Sequence, residues 1–420
     1  MGSLQPRPAS SPNPPSPSDT AAAARPLSAA AATPHAVPAV AALDVIVRAE
    51  GLSPASQPSS GPAAAPSSRC ATGGEPTADG VALLDRLDTY AKAVLEYHEP
   101  SVREQVRQVI PPEVLAAAAC VDADKDAAPV AGRSAAAATD GGDSAPPTAA
   151  APTDLTTCPD MHLTRALLTW FKTDFFSWVD TLPCDSCGHA TTVTDTVGPS
   201  DEESAWRASR VELHVCSACG AVTRFARFAH PLKLLTTRRG RCGEWAQAFT
   251  AIAVAAGLTA RLIVDSTDHL WTEVWSHTAQ QWVHADACEA ALDTPLLYEA
   301  GWGKRLAYIL AAGEGVGDVT RRYTARFSEV AARRTLMGEA VLTASLARLN
   351  AAALAALPPG GVRDAAVSRG IADLEALHSG GGATRVPSTG EGEERTRLPG
   401  RQSGAADWVH SRGEDGEGYS

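Results

Sequence analysis

Residues 236–246 read Thr236-Thr237-Arg238-Arg239-Gly240-Arg241-Cys242-Gly243-Glu244-Trp245-Ala246, a cysteine bracketed by glycines at the start of an apolar stretch. Trp245, Phe249, Ile252 and Ala253 then recur at helical spacing, and Gly257 stands where such a helix ends. Cys242 is therefore predicted at a helix N-terminus. There the macrodipole favours a thiolate, and unpaired backbone N–H groups can help build an oxyanion hole. Arg239 and Arg241 add positive potential. Taken alone, this pattern also fits an inert buried thiol.

The downstream segment changes that reading. Thr259 to Val264 reads as a strand, Asp268 to Trp275 as a second and Gln281 to Asp286 as a third. In the second, His269, Trp271, Glu273 and Trp275 share one face. Pairing Trp275 with Gln280 across a four-residue loop sets Asp286 directly opposite His269. Opposed side chains lie about 5 Å apart, which suits the carboxylate–imidazole bond of a Cys-His-Asp triad. Read singly, Asp286 could end a strand and His269 could be a core histidine. His284 shares the Asp286 face and reads as structural, and Cys288, with no base of its own, as buried.

Cys184-Asp185-Ser186-Cys187 and Cys216-Ser217-Ala218-Cys219 form two CxxC pairs, each followed by a glycine, Gly188 or Gly220. Knuckle turns of this kind present two thiolates each to one ion. The expectation is one structural zinc on Cys184, Cys187, Cys216 and Cys219, with no open coordination position. Two disulfides or buried pairs are the alternative. Thr191 to Ser204 reads as an exposed hairpin tip that absorbs the long spacer, and His189 and His214 as neighbours rather than ligands.

Eight of the nine tryptophans fall between Trp170 and Trp302, which places the folded core there. Residues 1–80 and 121–155 are Ala/Ser/Pro- or Gly-rich and are predicted to be disordered, as is the tail 378–420. A helical hairpin is expected over 81–120, with Ser101 and Glu104 as a capping box. The core is expected over 156–345, with an amphipathic helical stretch from Leu163 to Leu182 and the metal module at 184–219. Further helices are expected over 346–377. A net charge of −12 and no basic stripe argue against nucleic acid. The longest apolar run, Ala246 to Leu258, is too short to cross a membrane. Nothing resembles a secretory signal, although an organelle transit peptide stays open, and the CxxC pairs fit a reducing compartment, so the cytoplasm is expected, with the nucleus as a second location.

These motifs resemble the cytoplasmic peptide:N-glycanases of the transglutaminase-like, papain-type superfamily. The resemblance rests on GRCGEWA (240–246), DHLWTEVW (268–275), WVHADACE (282–289) and YEAGWGKRLAYILA (298–311). WFKTDFFSW (170–178), RFARF and PLKLLTTRRG (224–240), and PSVREQVRQVIP (100–111) extend it. It implies an α+β, transglutaminase-like cysteine amidase core with an inserted four-cysteine zinc module. It also implies that Cys242 is the nucleophile, His269 the base and acid, and Asp286 the orienting group. The reaction would be removal of N-glycans from asparagine in misfolded, high-mannose glycoproteins, leaving aspartate, as part of endoplasmic-reticulum-associated degradation. Trp271, Trp282, Glu273 and Glu289 are expected to bind the chitobiose end or wall the cleft, each being equally readable as a packing residue. Gln247 replaces the family's usual Asn. A proteasome shuttle factor and an AAA-ATPase are the family's further partners, but no docking module for either is recognisable near the N-terminus. A transglutaminase using the same triad, and a non-catalytic scaffold of the same fold, are the competing readings. The CxxC pairs and the intact triad argue against them.

Overall fold

Leu83, Leu84, Leu87, Ala91 and Val94 form one apolar face, which buries as helix α1 (Ala78–Glu96). Thr77 caps it by accepting from the Gly80 N–H at 3.1 Å. The computed structural model describes residues 74–119, 155–379 and 398–416, which lie in the unit Ala63–Ser420. The low-complexity stretch up to residue 73 and the insertion 120–154 fall outside the described residues. Helix α2 (Pro100–Arg107) begins one residue before the expected cap: Glu99 is the N-cap and no side chain bonds there. Proline's fixed φ suits the first helical position, so Pro100 starts the helix and leaves Ser101 inside it without a capping box.

Helix α3 (Pro159–Trp170) also ends earlier than its periodicity suggested. A single π turn at Phe171–Phe175 follows, and Phe176 is extended. That widening turns Phe171 and Phe176 onto Trp245, with ring centroids 5.4 and 5.3 Å away. Strand β1 (Ser177–Trp178) then runs beside the segment that enters the Cys242 helix.

The metal lobe is a three-stranded antiparallel sheet of β2 (Thr191–Val197), β3 (Val211–Cys216) and β4 (Val222–Ala226), in that order. The spacer between the CxxC pairs is therefore not a bare hairpin tip. It supplies β2 and a short helix, Asp201–Ala205, closed by a capping box between Ser200 and Glu203. Helix α4 (Pro231–Thr237) and strand β5 (Arg239–Gly240), parallel to β1, lead into α5 (Cys242–Ala255).

Helix α5 packs on a six-stranded antiparallel sheet. Its strands are β6 (Ala260–Asp265), β7 (His269–Ser276), β8 (Gln281–Asp286), β9 (Ala291–Leu292), β10 (Ile309–Ala312) and β11 (Gly317–Asp318), in the spatial order β11-β10-β6-β7-β8-β9. Thr250 of α5 and Thr272 of β7 share a buried hydroxyl bond of 2.8 Å. Helices α6 (Glu339–Ala356) and α7 (Gly361–His378) complete the layer over the sheet edge.

Two expectations are corrected here. In the β7–β8 hairpin Ser276 pairs with Gln281, and Trp275 with Trp282, so the loop is 277–280 rather than 276–279. Ser276 Oγ caps that loop by accepting from the Ala279 N–H at 3.1 Å, and Gln280 takes the left-handed conformation at φ 51°. The register therefore slips by two residues, which leaves Asp286 on the His269 face but diagonal to it. The tail, predicted to be disordered, contributes an ordered segment over 398–416 with a short helix, α8 (Ala406–Ser411). It is held by bonds that composition does not reveal: the Arg401–Glu414 pair at 2.6 Å, and Ala405 N–H donating to Asp180 Oδ1 at 2.9 Å.

Phe249 is fully buried on α5 and meets Phe171 edge-on at 5.5 Å. Phe249→Ala should lower unfolding free energy by about 3–5 kcal/mol, the usual cost of truncating a core phenylalanine. Urea unfolding measures this, and a change under about 1 kcal/mol would mean that the α3–α5 contact does not hold the core.

Candidate functional site

Cys242 opens α5, and the backbone before it is built for that start. A Cβ on Gly240 would lie 2.3 Å from Glu244 Cβ, so only glycine lets β5 turn into the helix. Glu244 accepts from the Arg241 backbone N–H at 3.0 Å and takes a two-pronged bond from Arg227 at 2.6 and 2.7 Å. Arg227 and Arg241 both also bind Glu212 of β3. Burial opposes ionisation of Glu212, but the Arg241 and Arg227 guanidiniums outweigh it and hold the carboxyl below its usual range. This charged cluster ties the start of the Cys242 helix to the metal lobe.

The slipped register still brings His269 and Asp286 together. His269 Nε2 donates to Asp286 Oδ2 at 2.8 Å, and both side chains are fully buried. Asp286 Oδ1 accepts from the Cys288 N–H at 2.8 Å, and Oδ2 also accepts from the Tyr298 hydroxyl at 2.9 Å. Donor bookkeeping fixes the rest of the chain of bonds. With its proton directed to Asp286, the Tyr298 oxygen accepts from His284 Nε2 at 2.8 Å, and His284 Nδ1 accepts from the Thr294 N–H at 3.3 Å. His284 is thus a neutral, oriented support, its pKa lowered to about 4 chiefly by burial.

Burial raises the Asp286 pKa, but the charge and hydrogen bond of His269 overcome it and keep the carboxylate ionised. Burial lowers the His269 pKa, while Asp286 and then the Cys242 contact push it above its ordinary value. Burial likewise works against a Cys242 thiolate. The neighbouring His269, with the charge of Arg401 adding to it, holds the thiol below its usual range. Since Nε2 is committed to Asp286, Nδ1 is the nitrogen left to the thiol. A lowered thiol beside a raised imidazole favours a thiolate–imidazolium pair.

The four residues expected to meet substrate are placed differently. Trp271 is buried and donates to the Tyr323 hydroxyl at 2.8 Å. Glu273, fully buried, binds Arg261 at 2.8 Å, Arg322 at 2.9 Å and Tyr323 at 2.7 Å. Trp282 packs edge-on to Trp275 at 5.5 Å, with the Arg261 guanidinium 4.0 Å from its ring. Each of the three is thus held by packing or ion-pair partners, and around Glu273 those partners come from distant sequence, Arg322 directly and Asp373 through Arg261. Glu289 is nearer the surface and accepts from the backbone N–H groups of Gln402 and Ser403 at 2.8 and 3.1 Å, so it holds the C-terminal segment. Sequence reading missed Tyr298, Trp302 and Arg401. Tyr298 and Trp302 lay in a motif quoted only for resemblance, and the signal for Arg401 was Trp408, the one tryptophan outside the core.

Sulfurs of Cys184, Cys187, Cys216 and Cys219 all lie within 4.8 Å of one another, and the closest pairs are 3.4–3.6 Å apart. These cysteines are free, which removes the disulfide alternative. A tetrahedral ion with bonds near 2.3 Å needs sulfurs about 3.8 Å apart, so the cluster fits a structural metal. The knuckles match each other: Gly188 donates to the Cys184 carbonyl at 2.8 Å and Gly220 to the Cys216 carbonyl at 2.9 Å, both glycines at positive φ.

Residues 190–287 match the sequence profile of the transglutaminase-like superfamily, and residues 264–353 that of the Rad4 transglutaminase-like domain. The fold is transglutaminase-like, with mixed helix and sheet. A Gallus gallus protein named peptide-N(4)-(N-acetyl-beta-glucosaminyl)asparagine amidase is 45% identical over 252 residues, 60% of this chain and 37% of that relative. A Yarrowia lipolytica protein of the same name is 36% identical over 263 residues, 61% of this chain and 69% of the relative. The matched stretch thus spans little more than a third of the vertebrate relative and most of the yeast one. The crystal structure of Rad4–Rad23 bound to a 6-4 photoproduct UV lesion aligns with a TM-score of 0.40 and 14% identity, over 72% of this chain and 58% of that chain.

Alkylation of Cys242 by iodoacetamide, followed by mass spectrometry against pH, should show a midpoint below the ordinary thiol value of about 8.5. In Asp286→Asn the charge that raises His269 is gone, so the imidazolium loses its proton at lower pH and the midpoint of Cys242 should move up. An unmoved midpoint in folded Asp286→Asn would show that Asp286 does not govern this pair.

Proposed function

Because this chain belongs to the peptide-N(4)-(N-acetyl-beta-glucosaminyl)asparagine amidase family, we propose that it hydrolyses the amide joining an N-glycan to asparagine. The observation that carries this reading is the 2.8 Å His269–Asp286 bond beside Cys242 at the start of α5. In the proposed reaction the Cys242 thiolate attacks the side-chain carbonyl of the glycosylated asparagine, and the new C–S bond pushes an electron pair onto the oxygen. Backbone N–H groups at the start of α5 are the donors available to that oxygen. As the carbonyl re-forms, the C–N bond breaks and the glycosylamine leaves with a proton from His269. His269 then takes a proton from water, which attacks the thioester, releases aspartate in the peptide and returns the thiol. Asp286 keeps Nε2 engaged, so that Nδ1 carries the proton both ways.

Zinc is the proposed ion on Cys184, Cys187, Cys216 and Cys219, all four thiolates being used, so its role is to cross-link the lobe. Misfolded glycoproteins with high-mannose glycans are the proposed substrates, in endoplasmic-reticulum-associated degradation and in the cytoplasm, where thiols stay reduced. A proteasome shuttle factor and an AAA-ATPase are proposed partners on resemblance alone.

A denatured high-mannose glycoprotein incubated with the wild-type chain should release free glycan and gain aspartate at the glycosylation site, and Cys242→Ala should leave it intact. Intact glycan after incubation with folded, metal-loaded wild type would sink the proposal. Elemental analysis of Cys184→Ser should show the loss of about one metal ion per chain and a destabilised product. Full retention of the ion would remove Cys184 from the ligand set.

A further inference from the structure

Arg401 comes from the C-terminal segment, yet its guanidinium lies between two walls formed by other parts of the fold. Its guanidinium is 5.5 Å from the Trp178 ring, 4.7 Å from Trp302 and 4.6 Å from Trp408. Trp178 belongs to the Cys242 side: it pairs with Gly240 in β1–β5. Trp302 belongs to the histidine side, its ring 5.0 Å from His269. The segment is pinned near both walls. Glu289 holds Gln402 and Ser403, Asp180 holds Ala405, and Arg412 reaches Asp268, the neighbour of His269, at 3.3 Å. The Arg401 side chain is wholly buried, with Nη1 on Glu414 at 2.6 Å and Nε on Ser403 at 3.1 Å. Among the described residues, Nη2 has no hydrogen-bond partner. A buried, charged donor left unpaired is costly, so its retention points to a negative charge that it serves.

We propose that Arg401 is a positioning residue of the Cys242–His269 site, its guanidinium supplying the fixed positive charge that balances the Cys242 thiolate. The charged and titratable groups acting with Cys242 are His269 and Asp268 from the β6–β7 side, Arg227 from the metal lobe, Tyr90 from α1, Cys288 after β8, and Arg401. Arg227 is already matched by Glu244 and Glu212. Asp268 opposes the thiolate and is offset by Arg412. Among these groups, Arg401 is the buried arginine that keeps a donor, Nη2, which no carboxylate of the described residues takes.

The turnover consequence rests on the amidase reading, whereas the thiol consequence does not. In the full chain, Arg401→Gln should slow Cys242 alkylation at pH 7 about tenfold, equivalent to a midpoint about one unit higher, and Arg401→Lys should restore most of the rate. Glu414→Gln removes the carboxylate that competes for the guanidinium, so it should speed alkylation below pH 7 by about two- to threefold. Loss of packing alone would not move the two variants in opposite directions. Alkylation of folded Arg401→Gln at the wild-type rate overturns the proposal. Should Arg401→Gln fail to fold, an unchanged or slower rate in Glu414→Gln overturns it instead. Glycan release by Arg401→Gln should fall in kcat with KM within about threefold, because the charge acts on the nucleophile rather than on substrate binding.

Discussion

The hydrogen bond from His269 Nε2 to Asp286 Oδ2 sets terms that the rest of the fold must meet. A carboxylate with no exposed surface is tolerated only when its oxygens are matched by donors and by charge. Here three donors converge on Asp286 from three elements: His269 from β7, the Cys288 N–H beyond β8, and Tyr298 from the π turn before β10. The sheet order, the turn after β8 and the Leu297–Gly301 turn are thereby coupled, since misplacing any one strands a buried charge. The same arrangement leaves one imidazole nitrogen for the thiol.

Distance from the chemistry does not make the metal lobe a bystander. Glu212 of β3 binds Arg227 and Arg241, and both arginines lead to Glu244 at the start of α5, Arg227 by its guanidinium and Arg241 by its backbone N–H. Buried ion pairs of this kind add geometric specificity more reliably than net stability. The cysteine cluster at one end of β3 and Cys242 at the head of α5 are joined by this one charged chain. Disturbing the four-cysteine cluster should therefore be felt as a loosened helix start, through Glu212 and Arg227.

The C-terminal segment extends the same logic to the other wall. Four tryptophans, Trp178, Trp245, Trp302 and Trp408, line the route from Cys242 to the tail, and Arg401 sits among three of them. Indole faces attract a guanidinium and exclude water from it, which strengthens its field at nearby charge.

What the sequence determined by itself was local. Cys242 at a helix start was legible because the 3.6-residue period after Trp245 lies in one helix and Gly240 and Gly257 flank it closely on either side. The four-cysteine cluster was legible because CxxC followed by glycine encodes a knuckle within five residues. The alternation that puts His269 and Asp286 on one sheet face was legible too, since a two-residue slip preserves the face. What only the tertiary structure decided was long-range. The register depends on how Ser276 and Gln280 close their loop, which alternation cannot specify. Trp271 and Glu273 are buried because Tyr323, Arg322 and Asp373 arrive from far along the chain, Tyr323 on Trp271 and the others around Glu273. For Arg401 the one signal was Trp408 in the same segment, which says nothing of Cys242. A charge in a glycine-rich tail acquires meaning only when tertiary packing sets it among the indoles, because electrostatic influence follows distance in space and not in sequence.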